Sequence, residues 1–355
     1  MDDARTKNKA IAAILNKISK DFGSTDKDPT LAGVTTTGCI RLDAAMQTTG
    51  LPLGGLPLGR IIEIIGDPGS GKTSLALSWI SLYKQTHPQD DRPVLIVDVE
   101  RTITPQFVEG FGLRWAEDII FRRPDTIEEA FELILELGKS GLISFCLFDS
   151  VGAAQNQRQI SRDVGDVDVG GISKLMHEVM RQLCKICEEH TTTAVFINHI
   201  TMKPGVSFGN PETTPGGRAL AYYASSRLRV LPMKPNPKNK GSGLARVKIM
   251  KHKTGLPYLL KGPIEFDFAY GKGPDPIRDL ADTAKSLGLL RHSAGQSKMR
   301  KSLDTEEWYV PDPSIDKLQA GYMEWLLGNK AAQKELQDLV LAQDLSILAT
   351  GEDGD

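Results

Sequence analysis

Four short stretches of the chain, RIIEIIG (60–66), PVLIVDVE (93–100), ISFCLFDS (143–150) and TTAVFINH (192–199), are apolar at nearly every position. That is the pattern of strands buried on both faces, since a strand with one wet face alternates apolar and polar residues. Between them the apolar positions take helical spacing, which predicts helices over roughly Lys72 to Lys84, Thr126 to Lys139 and Gly170 to His190. Strands alternating with helices give the layout of a mostly parallel sheet covered by helices, and so an α/β fold. Further strands near Arg227 to Val230, Ala245 to Lys251 and Ile264 to Phe268, linked by short turns, are expected to extend the sheet as antiparallel members. From Pro274 onward, PIRDLADTAKSLGLL and later helical stretches predict a small separate lobe, residues 274–345. The closing ATGEDGD is acidic and short of apolar groups, so residues 346–355 read as a disordered tail.

The first 35 residues stand apart. Ala10, Ile11, Ile14, Leu15, Ile18 and Phe22 recur at helical spacing, and the chain then enters the turn-rich FGSTDKDPT. A helix cut off by a linker either folds back on the main domain, residues 36–273, or docks on another molecule. A second anomaly follows the fourth apolar run. From Ile200 to Gly217 come glycines, prolines, hydroxyls and an amide, over a length that compact domains rarely give to an unstructured connection.

Composition adds a frame. The 355 residues are 40% hydrophobic and 25% charged, as in ordinary globular chains, and no apolar run reaches membrane-spanning length. The start, MDDARTKNKA, lacks the apolar core of a secretory signal, so a cytoplasmic location is expected. Cys39 and Cys146 sit alone in apolar surroundings, while Cys184 and Cys187 read as half-buried helix positions rather than zinc ligands, because no second pair completes a site. The net charge of −2 hides an asymmetry: from Thr213 to Ile264 there is no acid, against eleven Lys and Arg residues. A solvated loop accounts for the lysines of KPNPKNKGSG, and the whole block suits a surface that faces polyphosphate.

Candidate chemistry begins where the first strand ends. Gly66, Asp67, Pro68, Gly69, Ser70, Gly71, Lys72, Thr73 and Ser74 fit G-x-x-x-x-G-K-[ST], with a strand before and a helix after. In that arrangement backbone N–H groups curl around phosphate oxygens, Lys72 reaches the terminal phosphates, and the Thr73 hydroxyl ligates Mg²⁺. Asp149, at the carboxyl end of an apolar strand, is the expected second metal partner. Asp98 and Glu100 end another strand on the same side of the sheet. Glu100 is favoured for orienting an attacking water; for Asp98 a capping or loop hydrogen bond weighs as much as catalysis.

Several segments together resemble RecA, the bacterial and phage recombinases that polymerise on DNA. They are GLPLGRIIEIIGDPGSGKTSLAL, the VDVE and FDSVGA strand ends, GDVDVGGISKLMHEVMRQL and, most specifically, FINHITMKPGVSFGNPETTPGGRALAYYASSRL. The resemblance spans nearly the whole chain and weakens over the last eighty or so residues. It implies a RecA-like P-loop ATPase core with an N-terminal polymerisation helix buried on the adjacent protomer and a small C-terminal α/β lobe. The loop from Ile200 to Gly217 is then the second DNA-binding loop, with Met202, Lys203, Pro204, Phe208 and Asn210 at the DNA and the amides of Gly216 and Gly217 on phosphates. A first loop runs from Gln155 to Gly171, carries Val169, and is followed by Lys174 and Arg181 as phosphate contacts, although a solvated helix face also accounts for Lys174. VKIMKHK matches the segment whose two lysines reach the neighbouring protomer's nucleotide, which carries that role to Lys251 and Lys253. Adenine is expected near Phe107 and Tyr270, with Thr104 beside it.

Some positions depart from the family pattern. His199 stands where the bacterial pattern has Gln, the position that senses the γ-phosphate. Phe107 and Thr104 replace a Tyr and an Asp, which removes polar contacts to the base. Val169 and Pro204 replace larger apolar wedges, and LPLGGLPLG is a short insertion before the first strand. The expected function is a DNA-dependent, Mg²⁺-requiring ATPase that polymerises on single-stranded DNA. It would pair that strand with homologous double-stranded DNA and exchange strands in recombination and repair, in a bacterial cytoplasm or a phage host's. Two other readings are a hexameric helicase on the same fold and a non-catalytic filament-forming paralogue.

Overall fold

The computed structural model describes residues 32–48, 54–154, 171–202, 211–236, 241–255, 262–293, 296–300, 308–309, 326 and 328–343. The chain divides into two units, Met1–Leu31 and Ala32–Asp355, and all the described residues belong to the second. The amphipathic segment around residues 10–22, the acidic tail, Val169 with most of the first loop, and Lys203, Pro204, Phe208 and Asn210 lie outside the described residues.

Two short strands, β1 (Val34–Thr35) and β2 (Leu56–Pro57), pair antiparallel ahead of the main sheet. That sheet takes β3 (Ile61–Gly66), β4 (Val94–Asp98), β5 (Ile119–Arg122), β6 (Phe145–Asp149) and β7 (Thr193–His199) as parallel strands. A two-residue antiparallel pair, β8 (Thr201–Met202) with β9 (Glu212–Thr213), closes the base of the 200–217 loop. The chain then returns through β10 (Ser226–Pro235), β11 (Ser242–His252), β12 (Ile264–Ala269) and β13 (Gly273–Pro274). The nine strands lie in the order β13-β12-β11-β10-β3-β7-β6-β4-β5.

The apolar runs are buried on both faces, and their alternation sorts the core into two layers. Ile62, Ile64, Ile96, Leu147 and Ile197 pack with Leu75 and Trp79 of the Lys72–Thr86 helix. The residues between them in sequence, Leu95, Val97, Phe148 and Phe196, pack with the Ile127–Lys139 and Gly171–His190 helices on the other side. Side chains two apart share a strand face, so this split follows from the pleat, and each fully buried Leu, Ile or Phe contributes about 1.5–3 kcal/mol. The Ile127–Lys139 helix starts where Thr126 accepts from the Glu129 N–H at 3.1 Å, and it buries Ile127, Ala130, Phe131 and Ile134 on one stripe.

One expectation is corrected, and one strand is added. β10 runs parallel to β3, Ser226 beside Ile62 and Val230 beside Gly66, and the antiparallel members begin only with β11. The physical reason is the long 200–217 loop and the Ala219–Tyr223 helix, which carry the chain back to the starting end of the sheet before β10 enters. β5 is an additional parallel edge strand that the pattern did not reveal, because its residues are only partly buried and the run is four residues long.

Beyond β13, the Pro276–Ser286 helix and the Lys330–Leu341 helix surround a separate apolar cluster with Leu280, Ala284, Leu289, Met299, Leu336 and Val340. A small antiparallel sheet of β14 (Leu290–Ser293), β15 (Gln296–Arg300) and β16 (Trp308–Tyr309) belongs to the same region. Among the described residues Cys39, Cys146 and Cys187 are buried and Cys184 half-buried, and all four are free thiols. No described helix is long and apolar enough to cross a membrane.

Candidate nucleotide site and DNA-facing surface

Register brings the polar strand ends together. Gly66 pairs with His199, and Asp98 pairs with Asp149, so the carboxyl ends of four parallel strands open on one crevice. It is a cleft of 390 Å³ walled by the Pro68–Ser74 turn, Glu100, Thr102, Phe107, Asp149 and His199.

After Gly66 the chain turns tightly, and Gly69 (φ 73°) and Gly71 (φ 94°) take the left-handed region that side chains disfavour. Gly71 is also the N-cap of the Lys72–Thr86 helix and offers no side-chain acceptor. The first N–H groups of a fifteen-residue helix therefore lack a side-chain cap, at the end where the helix dipole is positive. Ser70 Oγ is likewise buried without a partner among the described residues. An anion at this turn would satisfy these donors.

Lys72 is buried, with its ammonium donating to the carbonyls of Gly66 at 3.1 Å and Asp67 at 2.8 Å. Burial pulls its pKa below the ordinary lysine value, and the charges of Asp149, Glu100 and Asp67 act against that pull. Thr73 Oγ1 donates to Asp149 Oδ2 at 2.6 Å. Burial pushes the Asp149 carboxyl up to about 6, with the Thr73 bond opposing and the charges of Glu100 and Asp98 reinforcing. Thr73 and Asp149 thus stand together where a divalent ion beside phosphate would need oxygen ligands.

Glu100 accepts from the Ser150 hydroxyl and lies 2.6 Å from His199 Nε2. Burial would raise its carboxyl, but the Ser150 and His199 bonds and the Lys72 charge outweigh it and hold the group below the usual range. An ionised carboxylate only accepts, so Nε2 carries the proton in this pair. The other ring nitrogen, Nδ1, is buried with no partner among the described residues.

Asp98 differs from Glu100. Fully buried, it accepts from the N–H groups of Thr102 at 3.2 Å and Ile103 at 3.1 Å, and from Arg123 Nε at 3.0 Å. Of its two open readings, the loop hydrogen bond is the one the geometry displays. Thr104 is exposed, its hydroxyl accepting from Phe107 N at 3.2 Å to cap the Pro105–Gly110 helix. Phe107 lines the cleft, and Thr102 rather than Thr104 lines it beside Phe107. Tyr270 is 58% exposed and outside the cleft lining.

His199 is tied to the neighbouring loop through the residue before it. Asn198 Oδ1 accepts from the His199 N–H at 3.0 Å, while Asn198 Nδ2 donates to the Pro215 carbonyl at 3.1 Å and to Glu63 Oε1 at 3.3 Å. Glu63 is fully buried and bonded in turn by Arg227 Nε. Gly216 and Gly217 have φ of 80° and 75°. A Cβ on Gly217 would come within 2.5 Å of Ser173 Oγ, so this glycine lets the loop pack on the start of the Gly171–His190 helix. On that helix Lys174 and Arg181 are both exposed and seven apart, hence on one face. Met202 is 65% exposed at the loop base.

Lys251 and Lys253 lie elsewhere. Lys251 donates to the carbonyls of Ala221 at 2.6 Å and Tyr222 at 2.9 Å, and Lys253 to Tyr222 at 3.0 Å. Burial and the charge of Lys253 bring Lys251 down to about 8. Lys251 pairs with Arg227, and Lys253 N bonds Ser225 beside Ile61, so both sit toward the end of the sheet opposite Gly66. From the level of Ile61 to that of Gly66 is about 16 Å along the strand.

Sequence reasoning missed Asn198, Ser150, Glu63 and Thr102. Glu63 had a signal, as the lone charge inside IIEIIG. Ser150 and Asn198 had none, because their roles depend on which strands are neighbours.

The parallel sheet, the glycine turn and the carboxylates at the strand ends define a nucleotide-binding α/β protein of the P-loop class. Residues 9–275 match the RecA N-terminal domain. Protein RecA of Thermus thermophilus is 36% identical over 301 residues, covering 82% of this chain and 84% of that protein. Protein RecA of Ectopseudomonas oleovorans is 34% identical over 350 residues, covering 96% and 92%, and that of Cereibacter sphaeroides is 32% identical over 359 residues, covering 98% and 97%. A crystal structure of the RadB recombinase superposes with a TM-score of 0.48 at 21% identity, over 68% of this chain and 98% of that one. The chain belongs to the RecA family and is a RecA-type recombinase.

Proposed function

We propose that the chain is a DNA-dependent ATP hydrolase that polymerises on single-stranded DNA and exchanges strands with homologous duplex. The observation that carries this reading is the chain of contacts from Glu100 in the wall of the cleft to Pro215 in the 200–217 loop. Glu100 meets His199, and the His199 backbone meets Asn198, which holds the Pro215 carbonyl. Lys72 and the uncapped helix start suit a triphosphate, and Thr73 with Asp149 suits Mg²⁺. Among the described residues no three His, Cys, Asp or Glu side chains group to hold a metal by themselves, which accords with an ion held by one carboxylate, one hydroxyl, phosphate and water. When bound, Mg²⁺ neutralises charge on the phosphates. Glu100, acceptor-only and beside the cleft, orients a water for attack, and Lys72 stabilises charge on the transferring group.

Because Lys251 and Lys253 lie toward the far end of their own sheet, their role is assigned to the nucleotide of an adjacent protomer. The N-terminal amphipathic segment is assigned to docking on an adjacent protomer, but residues 32–35 of the expected 1–35 segment belong to the main unit, where Val34–Thr35 pairs with Leu56–Pro57. Phe107 is assigned to the base, and Lys174, Arg181, Met202, Gly216 and Gly217 to DNA. Bases unpaired and paired in strand exchange nearly balance, so hydrolysis serves to switch the filament between tight and weak DNA binding. Electron microscopy of the protein with single-stranded DNA and a slowly hydrolysed ATP analogue tests the proposal. Open helical filaments are expected; closed rings with directional unwinding would instead identify a helicase.

A further inference from the structure

Between the base of the 200–217 loop and the β10–β11 pair lies a second cavity, of 190 Å³, whose wall carries Arg218, Arg227 and Arg229. Arg227 and Arg229 are two apart on β10 and share the face opposite Leu228 and Val230, which enter the core. Arg227 is committed to the buried Glu63. Arg229 is held differently: its two terminal nitrogens grip the Glu212 carboxylate as a fork, at 2.7 and 2.9 Å, while its Nε is buried with no partner among the described residues. Glu212 belongs to β9, the returning strand of the loop base, and is the single acid among the described residues lining this cavity.

A guanidinium fork fits a carboxylate and a phosphate with the same two parallel bonds, so the two anions are interchangeable at such a site. Exchange of one for the other leaves Arg229 paired throughout and avoids the cost of a half-buried cation without a partner. Glu212 is itself partly exposed, so water can receive its carboxylate when it leaves.

We propose that Arg229 binds a phosphodiester of single-stranded DNA, and that Glu212 occupies its fork until the DNA arrives, holding the loop base closed in the free protein. This rests on the reading of residues 200–217 as DNA-facing. Release of Glu212 and capture of the phosphate are then one exchange, and DNA must displace an internal anion before Arg229 can hold it.

The test uses the full chain and fluorescein-labelled oligothymidylate, with affinity measured across a salt series without nucleotide and with a slowly hydrolysed ATP analogue. Glu212→Gln, which removes the competing charge, is expected to raise nucleotide-free affinity about tenfold, the scale of one charge-assisted pair. Arg229→Gln is expected to erase that gain in the double variant, and to flatten the salt slope of the analogue-bound state by about 0.7, one phosphate on a single strand. Should Arg229→Gln not fold, by circular dichroism, Arg229→Lys takes its place: it keeps the charge and loses the fork, so it retains the slope but loses most of the gain. Unchanged nucleotide-free affinity in Glu212→Gln overturns the proposal, as does a gain that survives in the double variant. Loss of the gain on adding inorganic phosphate at constant ionic strength marks a free-anion site and overturns it too. Absence of oligothymidylate binding by the parent protein in either state defeats the reading of the loop itself.

Discussion

His199 at the end of β7 and Glu100 just past β4 meet at 2.6 Å across the end of β6, the strand between them. The imidazole therefore contacts the residue assigned to water orientation, while its own backbone N–H is held by Asn198, whose amide reaches the loop at Pro215. A phosphate or a repositioned Glu100 changes what this ring bonds, and a ligand shifts a distant element only through such a difference in contact. His199→Ala is expected to keep nucleotide binding, since the glycine turn is untouched, and to lose the difference in single-stranded DNA affinity between ATP and ADP states. His199→Gln, which keeps a donor at similar reach, should preserve much of that difference. Affinities of the three proteins with each nucleotide decide the point; an Ala variant that discriminates as the parent does removes His199 from the coupling.

Lys72 holds two carbonyls of its own turn, Gly66 and Asp67, and these are weak partners compared with a phosphate. Lys72→Ala should therefore leave the fold intact and lower turnover on the order of 10²–10³-fold, the usual cost of removing one preorganised donor to developing charge. Steady-state ATPase with saturating single-stranded DNA measures it. Turnover near that of the parent would show that another cation serves the phosphate.

How far the sequence speaks can be judged from these same residues. The apolar runs and the glycine turn are local signals, so β3, β4, β6, β7 and the Lys72–Thr86 helix could be read directly. Strand order is not local. That β6 lies between β4 and β7, bringing Glu100, Ser150 and His199 together, depends on which crossover passes over which strand, and no stretch of residues encodes it alone. The parallel entry of β10 was hidden for the same reason. Asp98 and Glu100, alike in the motif, diverge only because the Thr102–Ile103 turn and Arg123 close over one of them.

Asp43 gives a stability prediction away from the nucleotide. It is fully buried, accepts from Thr36 Oγ1 at 2.5 Å and Thr37 N at 2.8 Å, and burial pushes its carboxyl up to about 7 from an ordinary 3.8. A folded-state pKa above the unfolded one means that the native state binds more protons between those values. Stability therefore falls as pH rises from about 4 to 7 and stays at the lower level above it. Asp279, pushed up to about 6 by burial, acts in the same direction. Asparagine mimics the protonated form, its oxygen accepting from Thr37 N and its amide donating to Thr36 Oγ1. Asp43→Asn should raise Tm at pH 8 on the order of 5 °C and flatten the fall of Tm between pH 5 and 8, leaving the part due to Asp279. Thermal melts across that range check both; a variant that melts lower at pH 8 with the parent's slope would place the charge elsewhere.

The last prediction concerns Lys251 and Lys253, which rest on the carbonyls of Ala221 and Tyr222 toward the far end of the sheet from the phosphate turn. Their own cleft is two strands away and on the order of 10–16 Å along the strand direction, beyond what a lysine side chain spans without moving the sheet. A protomer that presents this end to its neighbour's cleft would supply both cations in trans, where they neutralise charge on the transferring phosphoryl group as an arginine finger does. Lys251→Ala should then bind nucleotide normally as free protein and fail to hydrolyse it on DNA. Lys72→Ala fails for a different reason, because its own cleft is spoiled. In a filament grown from equal amounts of the two, some junctions join a sound cleft to sound lysines. The expected ATPase is about a quarter of the wild-type rate, one half for the cleft times one half for the neighbouring lysines. Neither variant alone supplies such a junction, so the recovery cannot come from residual activity. Co-assembly is followed with two fluorophores while the mixing ratio is varied, and activity should peak near equal proportions. A flat, inactive series with confirmed co-assembly would mean that each chain completes its own site, and that Lys251 and Lys253 only cap the Ala219–Tyr223 helix.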